Sequence, residues 1–567
     1  MKGYKKESIL APLFKMLEAG FELLIPLVVA AIVDTGIANQ DQPYLVKMCI
    51  LMVVLGIIGL ICAVVAQFYA AQAAVGVAAK LRHLVMERIL GLSYTQIDAI
   101  GTSTMVTRMT SDINQVQNGV NLALRLLLRS PFVVFGAMIM AFTIDFHAAL
   151  VFAAVIPVLC LVVFGIMLIT MPMYRRVQEG LDKVTAATRQ NLTGVRVLRA
   201  FCKEEAEVEA YAAATQELTH RQLLAGRISG FMNPVTFVLI NLAVVVLVKV
   251  GAIKVQDGIL TQGLVIALYN YMSQILVELI KMANLIITMT KAAACANRIE
   301  TVLEIPADRQ NGKLPAAGCA KVEFRNVSAT YAGASEASLE NISFTALPGQ
   351  TVGVIGGTGS GKTTLVNLIS GFYPTSGGQI LLGDTALRQI NPKDLRRHIG
   401  IVPQKAELFH GTIRENLLWG KENATDEELW QALELAQAAQ FVREKDGMLD
   451  GRVAQGGTNF SGGQRQRLTI ARALVRRPSI LILDDSASAL DYATDARLRA
   501  AISGIDNPPT TFIVSQRAAS VRYADQILVL DDGLLVGKGT HDELLKTCPV
   551  YQEIYYSQFP EEVAAHA

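Results

Sequence analysis

Residues 356–364 read GGTGSGKTT, a run that meets the pattern G-x-x-x-x-G-K-[ST] through Gly356, Gly361, Lys362 and Thr363. Glycines at this density, with Gly357 and Gly359 between, let backbone N–H groups close around a phosphate; Thr358, Ser360 and Thr364 complete the run. Lys362 adds a point charge at a β- or γ-phosphate, and the Thr363 hydroxyl can bind Mg²⁺. A strand-like TVGVI precedes the run and a helical TTLVNLIS follows it, so a helix turns its positive N-terminal end toward the phosphates. A second apolar strand, ILILDD (480–485), delivers Asp484 to the magnesium shell. Upstream of it, in NFSGGQRQRLTIARAL (459–474), Ser461, Gly462 and Gly463 open a predicted helix, another end suited to an anion.

Residues of this kind need a rigid frame. KVEFRNVSATY (321–331) is strand-like, and the strands and helices that follow alternate, which predicts a parallel α/β sheet. Ahead of it EIPADRQNGKLPAAG (304–318), polar with Pro and Gly, reads as a linker. The expected boundaries are a first domain over 1–300, a linker over 301–320 and a second domain over 321–567.

The chain of 567 residues is 52% hydrophobic and 18% charged, whereas soluble domains are about 45–50% apolar and about 25% charged. The excess lies in the first half, in six apolar runs near 9–33, 45–72, 119–143, 148–172, 229–250 and 262–288. Each can supply the roughly 20 residues that cross a bilayer. Several continue as polar helix, as in AAKLRHLVMERILGL (78–92) and EGLDKVTAATRQNLTGVRVLRAF (179–201), so they stand out of the membrane. The connections TGIANQDQPY (35–44) and TIDFH (143–147) carry no Lys or Arg, while Arg82, Arg88, Arg108, Arg175, Arg176 and Arg199 crowd the others. That asymmetry predicts long cytoplasmic connections and both termini in the cytoplasm. The basic start, MKGYKKESILAPLF, has no small-residue cleavage site and reads as a retained membrane segment. Seven cysteines (Cys49, Cys62, Cys160, Cys202, Cys295, Cys319, Cys548) form no C-x-x-C pair and read as buried thiols. A net charge of +2 without a basic cluster gives no ground for a nucleic-acid partner. The apolar runs exclude a wholly soluble nucleotide hydrolase.

Together these motifs resemble an ATP-binding cassette exporter half-transporter: a membrane α-helical bundle of six transmembrane helices followed by an α/β P-loop nucleotide-binding domain. The resemblance covers essentially the whole chain and implies ATP and Mg²⁺ as cofactors. By it, Tyr331 stacks on adenine, Gln404 in IVPQ reaches Mg²⁺ alongside Thr363 and Asp484, and Ser461 to Gln464 form the signature that closes over ATP held by the opposite subunit. Asp491 matches the acid of the loop that crosses between the two sites, and the bends near 94–101 and 202–210 match the coupling segments. The first run opens at residue 9, so the interfacial elbow helix of the family is expected to be short or differently built.

Three positions depart from the family pattern. Asp485 stands where the family has the glutamate that polarises the attacking water, and Gln516 stands where a histidine contacts the γ-phosphate. Gln455 replaces a frequent glutamate ahead of the signature. A neutral amide donates a hydrogen bond but carries no charge and shuttles no proton. The expected consequence is a site that holds ATP and hydrolyses it poorly. The resemblance is then to the degenerate-site subunit of heterodimeric bacterial multidrug exporters, whose non-identical partner supplies the competent site in the cytoplasmic (inner) membrane.

Intramembrane charges mark pathways for cargo. Glu18 and Glu22 share a helix face, and with Glu278 they are the candidate substrate contacts, favouring cationic amphipathic cargo. The competing expectation pairs Glu18 and Glu22 with Lys15 or a base on another helix, pairs Glu278 with Lys281, and makes Arg125 and Arg129 structural. Tyr269, Tyr271 and Met272 suit either a pliable cavity or plain packing. Alternative functions are a lipid or peptide translocator and a non-transporting nucleotide-gated regulator.

Overall fold

The computed structural model of the chain describes residues 3–306 and 320–559. They fall into two compact units, residues 1–90 with 103–305, and residues 91–102 with 306–567. The short helix Tyr94–Ile100 therefore groups with the second unit, where the sequence boundaries placed it in the first. The last helix of the first unit also runs past residue 300, to Glu304. Residues 307–319, most of the expected linker and Cys319, lie outside the described residues, as does His566.

Six helices of the first unit are long and apolar enough to cross a membrane: Lys5–Ile37, Gln42–Leu90, Thr102–Ile144, Phe146–Thr193, Glu204–Gln256 and Gln262–Glu304. They contain the six apolar runs. The second and fourth have 49 and 48 residues, so at about 1.5 Å per residue each spans roughly 70 Å, more than twice the ~30 Å hydrocarbon layer. Ile57, Ile61 and Phe68 of the second helix and Leu161 of the fourth are exposed. Water would penalise that arrangement, whereas lipid tails do not. Inside the bundle Phe152, Leu159, Leu247, Leu268, Tyr271, Met272 and Ile275 form a buried core. Tyr271 and Met272 are thus packing residues, and Tyr269 is exposed. The Tyr271 hydroxyl donates to the Leu23 carbonyl at 2.6 Å, tying the sixth helix to the first. Ala66, Ala70, Ala73, Ala74 and Ala78 are buried along the second helix, small residues of the kind that let membrane helices approach closely.

The six described cysteines are free thiols. Cys62, Cys295 and Cys548 are buried as expected, Cys49 and Cys160 only partly. Cys202 departs from the expectation: it is exposed, at φ 50°, in the turn before Glu204–Gly230.

In the second unit a six-stranded sheet forms around strands that are apolar on both faces, the pattern of a buried parallel sheet. In order it contains Leu534–Gly539, Gln526–Asp531, Thr351–Gly356, Thr510–Val514, Ile480–Asp484 and Ile399–Val402, all parallel except the first. Ile480–Asp484 and Thr510–Val514 are buried at every residue. A four-stranded antiparallel sheet, with Leu339–Ala346, Val322–Ala329, Gly377–Leu382 and Thr385–Ala386 in order, packs through Phe324, Phe344 and Ile380 on the apolar cluster that also holds Val354 and Phe512.

Candidate functional site

Register pairs Val514 with both Val354 and Asp484, so three strands end side by side at their carboxyl ends, where open parallel sheets bind ligands. A cavity of about 440 Å³ there is lined by Lys362, Thr363, Gln404, Asp484, Asp485 and Gln516, among others. The glycines of the loop do two different things. Gly356 and Gly361 have φ of 159° and 93°, and a Cβ on them would lie 2.1 Å from the Leu530 carbonyl oxygen and 2.6 Å from that of Ser338. Those two let the chain pass. At Gly357 and Gly359 a Cβ would meet nothing within 4 Å; their bare backbone faces open space, as a phosphate cradle requires.

The Lys362 ammonium donates to the Gly356 carbonyl at 3.0 Å, to the Gly357 carbonyl and to Ser360 Oγ at 3.2 Å. All three of its donors thus turn into the loop. Burial lowers its pKa, opposed by the charges of Asp485 and Asp484. Asp484 is buried, and desolvation pushes its carboxyl up; the nearby Asp485 adds to this and the bond from Thr363 Oγ1, at 3.3 Å, opposes it. A buried carboxylate beside a hydroxyl is a hard-oxygen donor set that fits Mg²⁺, which prefers one or two carboxylates plus phosphate and water. Thr363 and Asp484 would hold the ion, and the ion would neutralise phosphate charge. No larger cluster of His, Cys, Asp and Glu able to hold a metal occurs among the described residues.

Gln404 Nε2 donates to Asp485 Oδ2 at 3.2 Å, so its amide is turned to that carboxylate. Asp485 has left-handed backbone, φ 45°, with its N–H on the Val514 carbonyl at 3.0 Å and its own carbonyl accepting from Ser488 Oγ at 2.7 Å. The Gln516 carbonyl accepts from Gln558 Nε2 at 2.8 Å. No histidine lines this cavity among the described residues.

Tyr331 donates to Thr364 Oγ1 at 3.2 Å, and its ring meets Tyr373 edge-on at 4.9 Å. Tyr373 in turn donates to Asp98 Oδ2 at 2.6 Å, and Tyr94 lies against Phe372 at 4.4 Å. Burial, then the neighbouring Asp98, raises the Tyr373 pKa. Sequence reasoning missed Tyr373; the only signal was an aromatic pair just past the phosphate-loop helix Lys362–Ile369.

Ser461 and Gln464 do not line this cavity. They form a capping box at the start of helix Gly462–Val475, with Ser461 Oγ accepting from the Gln464 N–H at 3.3 Å and Gln464 Oε1 from the Ser461 N–H at 3.0 Å. Gly462 lines a separate cavity of about 730 Å³ with Gln404, Gln455 and Arg465. Asp491 caps helix Tyr492–Ser503, and bonds from the Thr494 N–H and hydroxyl, both 2.8 Å, hold its carboxyl below the usual range.

In the membrane unit the acidic candidates are all paired. Glu18 meets Lys15 at 2.5 Å. Arg129 binds Glu22 at 2.6 Å and Glu278 at 2.5 Å, and Glu278 also accepts from Lys281 and Ser130, both at 2.8 Å. Three acids therefore meet three bases. The pairing expectation is met for all three acids: Lys15 meets Glu18, Lys281 meets Glu278, and Arg129, from a different helix, joins Glu22 to Glu278.

Fold and site define a membrane-embedded P-loop nucleotide protein with both parts in one chain. The ABC transporter transmembrane region family matches residues 8–279, and the ABC transporter family matches residues 339–488. The chain is 35% identical over 563 residues to an uncharacterized ABC transporter ATP-binding protein of Bacillus subtilis, covering 99% of this chain and 98% of the relative. It is 36% identical over 567 residues to another from Mycobacterium tuberculosis strain H37Rv, covering 98% and 97%. It is 26% identical over 558 residues to the ATP-dependent lipid A-core flippase of Escherichia coli K12, covering 98% and 96%. The structure of a bacterial Atm1-family ABC exporter with ATP bound superposes with TM-score 0.83 at 22% identity, over 98% of this chain and 99% of that one, a likeness of fold. This chain belongs to the ABC transporter family, as a half-transporter of exporter type whose membrane and ATPase domains are fused.

Proposed function

We propose that this chain is the hydrolysis-impaired half of a heterodimeric exporter, holding ATP and Mg²⁺ at its own phosphate loop while a non-identical half-transporter supplies the competent site. The observation that carries this reading is the composition of the cavity beside Lys362. Its binding parts (Gly359, Gly361, Lys362, Thr363, Asp484) are complete, while the two positions that would activate water hold the short Asp485 and the neutral Gln516. Asp485 is also engaged by Gln404. The open space at Gly462, where a Cβ would meet nothing within 4 Å, supports a signature that packs on something outside this chain.

ATP closing the two cassettes would turn the membrane cavity outward, and hydrolysis at the partner's site would reset it. Tyr331 would stack on adenine, with Tyr373 backing its ring. The basic connections favour an orientation with the ATPase domain and both termini in the cytoplasm, in the cytoplasmic membrane of a prokaryote. The cargo is a hydrophobic or amphipathic compound. A lipid translocator is the second reading, favoured by the full-length similarity to a protein named as a lipid A-core flippase.

Purifying the chain alone and with the product of its adjacent reading frame tests the reading. Phosphate release should be slow from the chain alone and fast from the pair, and fast turnover by the chain alone overturns it. ATP-dependent dye uptake into inside-out vesicles containing both chains tests export.

A further inference from the structure

The ion pairs of the membrane unit form a chain of alternating sign, Glu22–Arg129–Glu278–Lys281. Its middle is largely buried: the Arg129 and Glu278 side chains are 7% and 4% exposed, Glu278 reaching the floor of the cavity between the two ends. Its ends are open, Glu22 at 39% and Lys281 at 43%. Both ends line one cavity of about 430 Å³. Asn270, Ser273 and Gln274 add neutral polar groups to it, and Gln274 Oε1 is a buried acceptor with no hydrogen-bond partner. Ile25, Val133 and Val277 give the same cavity apolar wall.

We infer that this cavity is a subsite for an amphiphile with a zwitterionic head group, its ammonium at Glu22, its phosphate or carboxylate at Lys281 and its tail along the apolar wall. The inference rests on the exporter reading above for why such a molecule should enter. A purely cationic head would gain Glu22 but face Lys281, with Arg129 behind Glu22. A purely anionic head would gain Lys281 but face Glu22. Only a head carrying both signs satisfies both open ends without displacing the buried pair, whose separation would leave an uncompensated charge in low dielectric.

The test is direct titration of the full chain with its partner, in uncharged maltoside micelles, using three probes with the same tail: dodecylphosphocholine, dodecyltrimethylammonium and dodecyl phosphate. The zwitterion should bind about two- to fivefold more tightly than either probe of a single sign, from one additional half-exposed ionic contact. Lys281→Gln should lower the zwitterion to the level of the cation, and Glu22→Gln should lower it to the level of the anion. Tail-free glycerophosphocholine, which keeps the same phosphodiester zwitterion, separates sources. Binding at least tenfold weaker than the dodecyl probe supports a lipid-like amphiphile, and equal binding overturns that class in favour of a soluble zwitterion. Equal affinity for the three dodecyl probes, or ratios unmoved by both substitutions, overturns the subsite. None of these titrations involves nucleotide, so their failure leaves the impaired-hydrolysis reading standing. Fast phosphate release by the chain alone would leave the order of head-group affinities untouched.

Discussion

Replacing Asp485 with glutamate probes the reach of the acid beside the phosphate loop. The aspartate carboxylate is one methylene short, a displacement of about 1.5 Å, and a misplacement of about 1 Å at a reacting centre can cost ~10²-fold. Restoring that length should raise phosphate release by the chain alone about 10- to 10²-fold, or roughly 1.4–2.7 kcal/mol of barrier. Asp485→Glu with Gln516→His should exceed the single change, because the imidazole adds a group able to carry charge and a proton. The backbone sets an opposing term. Asp485 sits at φ 45°, a conformation that short Asp tolerates and that costs most other residues about 1–2 kcal/mol. Asp485→Glu should therefore lower the melting temperature of the nucleotide-binding domain by about 2–4 °C per kcal/mol lost. The assay is single-turnover phosphate release at saturating Mg-ATP, with nucleotide affinity measured beside it. If the double variant binds ATP as the parent does yet releases phosphate no faster, the reach argument fails. If Asp485→Asn drops an already fast parent rate by about 10²-fold, the aspartate is a working base.

Three further outcomes follow from the geometry. Arg129→Met would leave Glu22 and Glu278 without their shared partner, so thermal unfolding in detergent should show a loss of about 3–5 kcal/mol, partly recovered by adding Glu278→Gln; an unchanged melt would mean the pair contributes nothing. Tyr373→Phe removes the 2.6 Å bond to Asp98 and, for a charge-assisted bond near the surface, should cost about 1 kcal/mol, matched and not added to by Asp98→Asn in a double-mutant cycle. Asp484 has its carboxyl raised by burial, so cation-free protein is favoured below its ordinary pKa of about 3.9 and loses that term as pH rises through the folded value. Asp484→Asn should flatten this limb in melts taken between pH 4 and 8 and remove stabilisation by Mg-ATP; a parallel limb in the variant would contradict it.

The phosphate loop was legible because its chemistry is local: glycines, lysine and threonine act within one turn of chain, and their spacing is the function. The six membrane helices were legible because a bilayer demands apolar length whatever packs beside it. Which base on another helix meets Glu22 was not legible, for the opposite reason. Helical spacing puts Glu18 and Glu22 on one side of a helix, but nothing in spacing announces that Arg129, 107 residues beyond Glu22, joins it to Glu278.

What the sequence determined by itself is the phosphate-loop motif with its companion Asp484, the segments long and apolar enough to cross a membrane, and the two unusual side chains, Asp485 and Gln516. What only the tertiary structure decided is how distant groups neutralise or support one another. Tyr373 meets Asp98 across 275 residues, Gln404 meets Asp485 across 81, and the left-handed turn at Asp485 is bonded to a neighbouring strand. Charge and hydrogen bonding depend on distance in space, and distance in space is not written in the order of the residues.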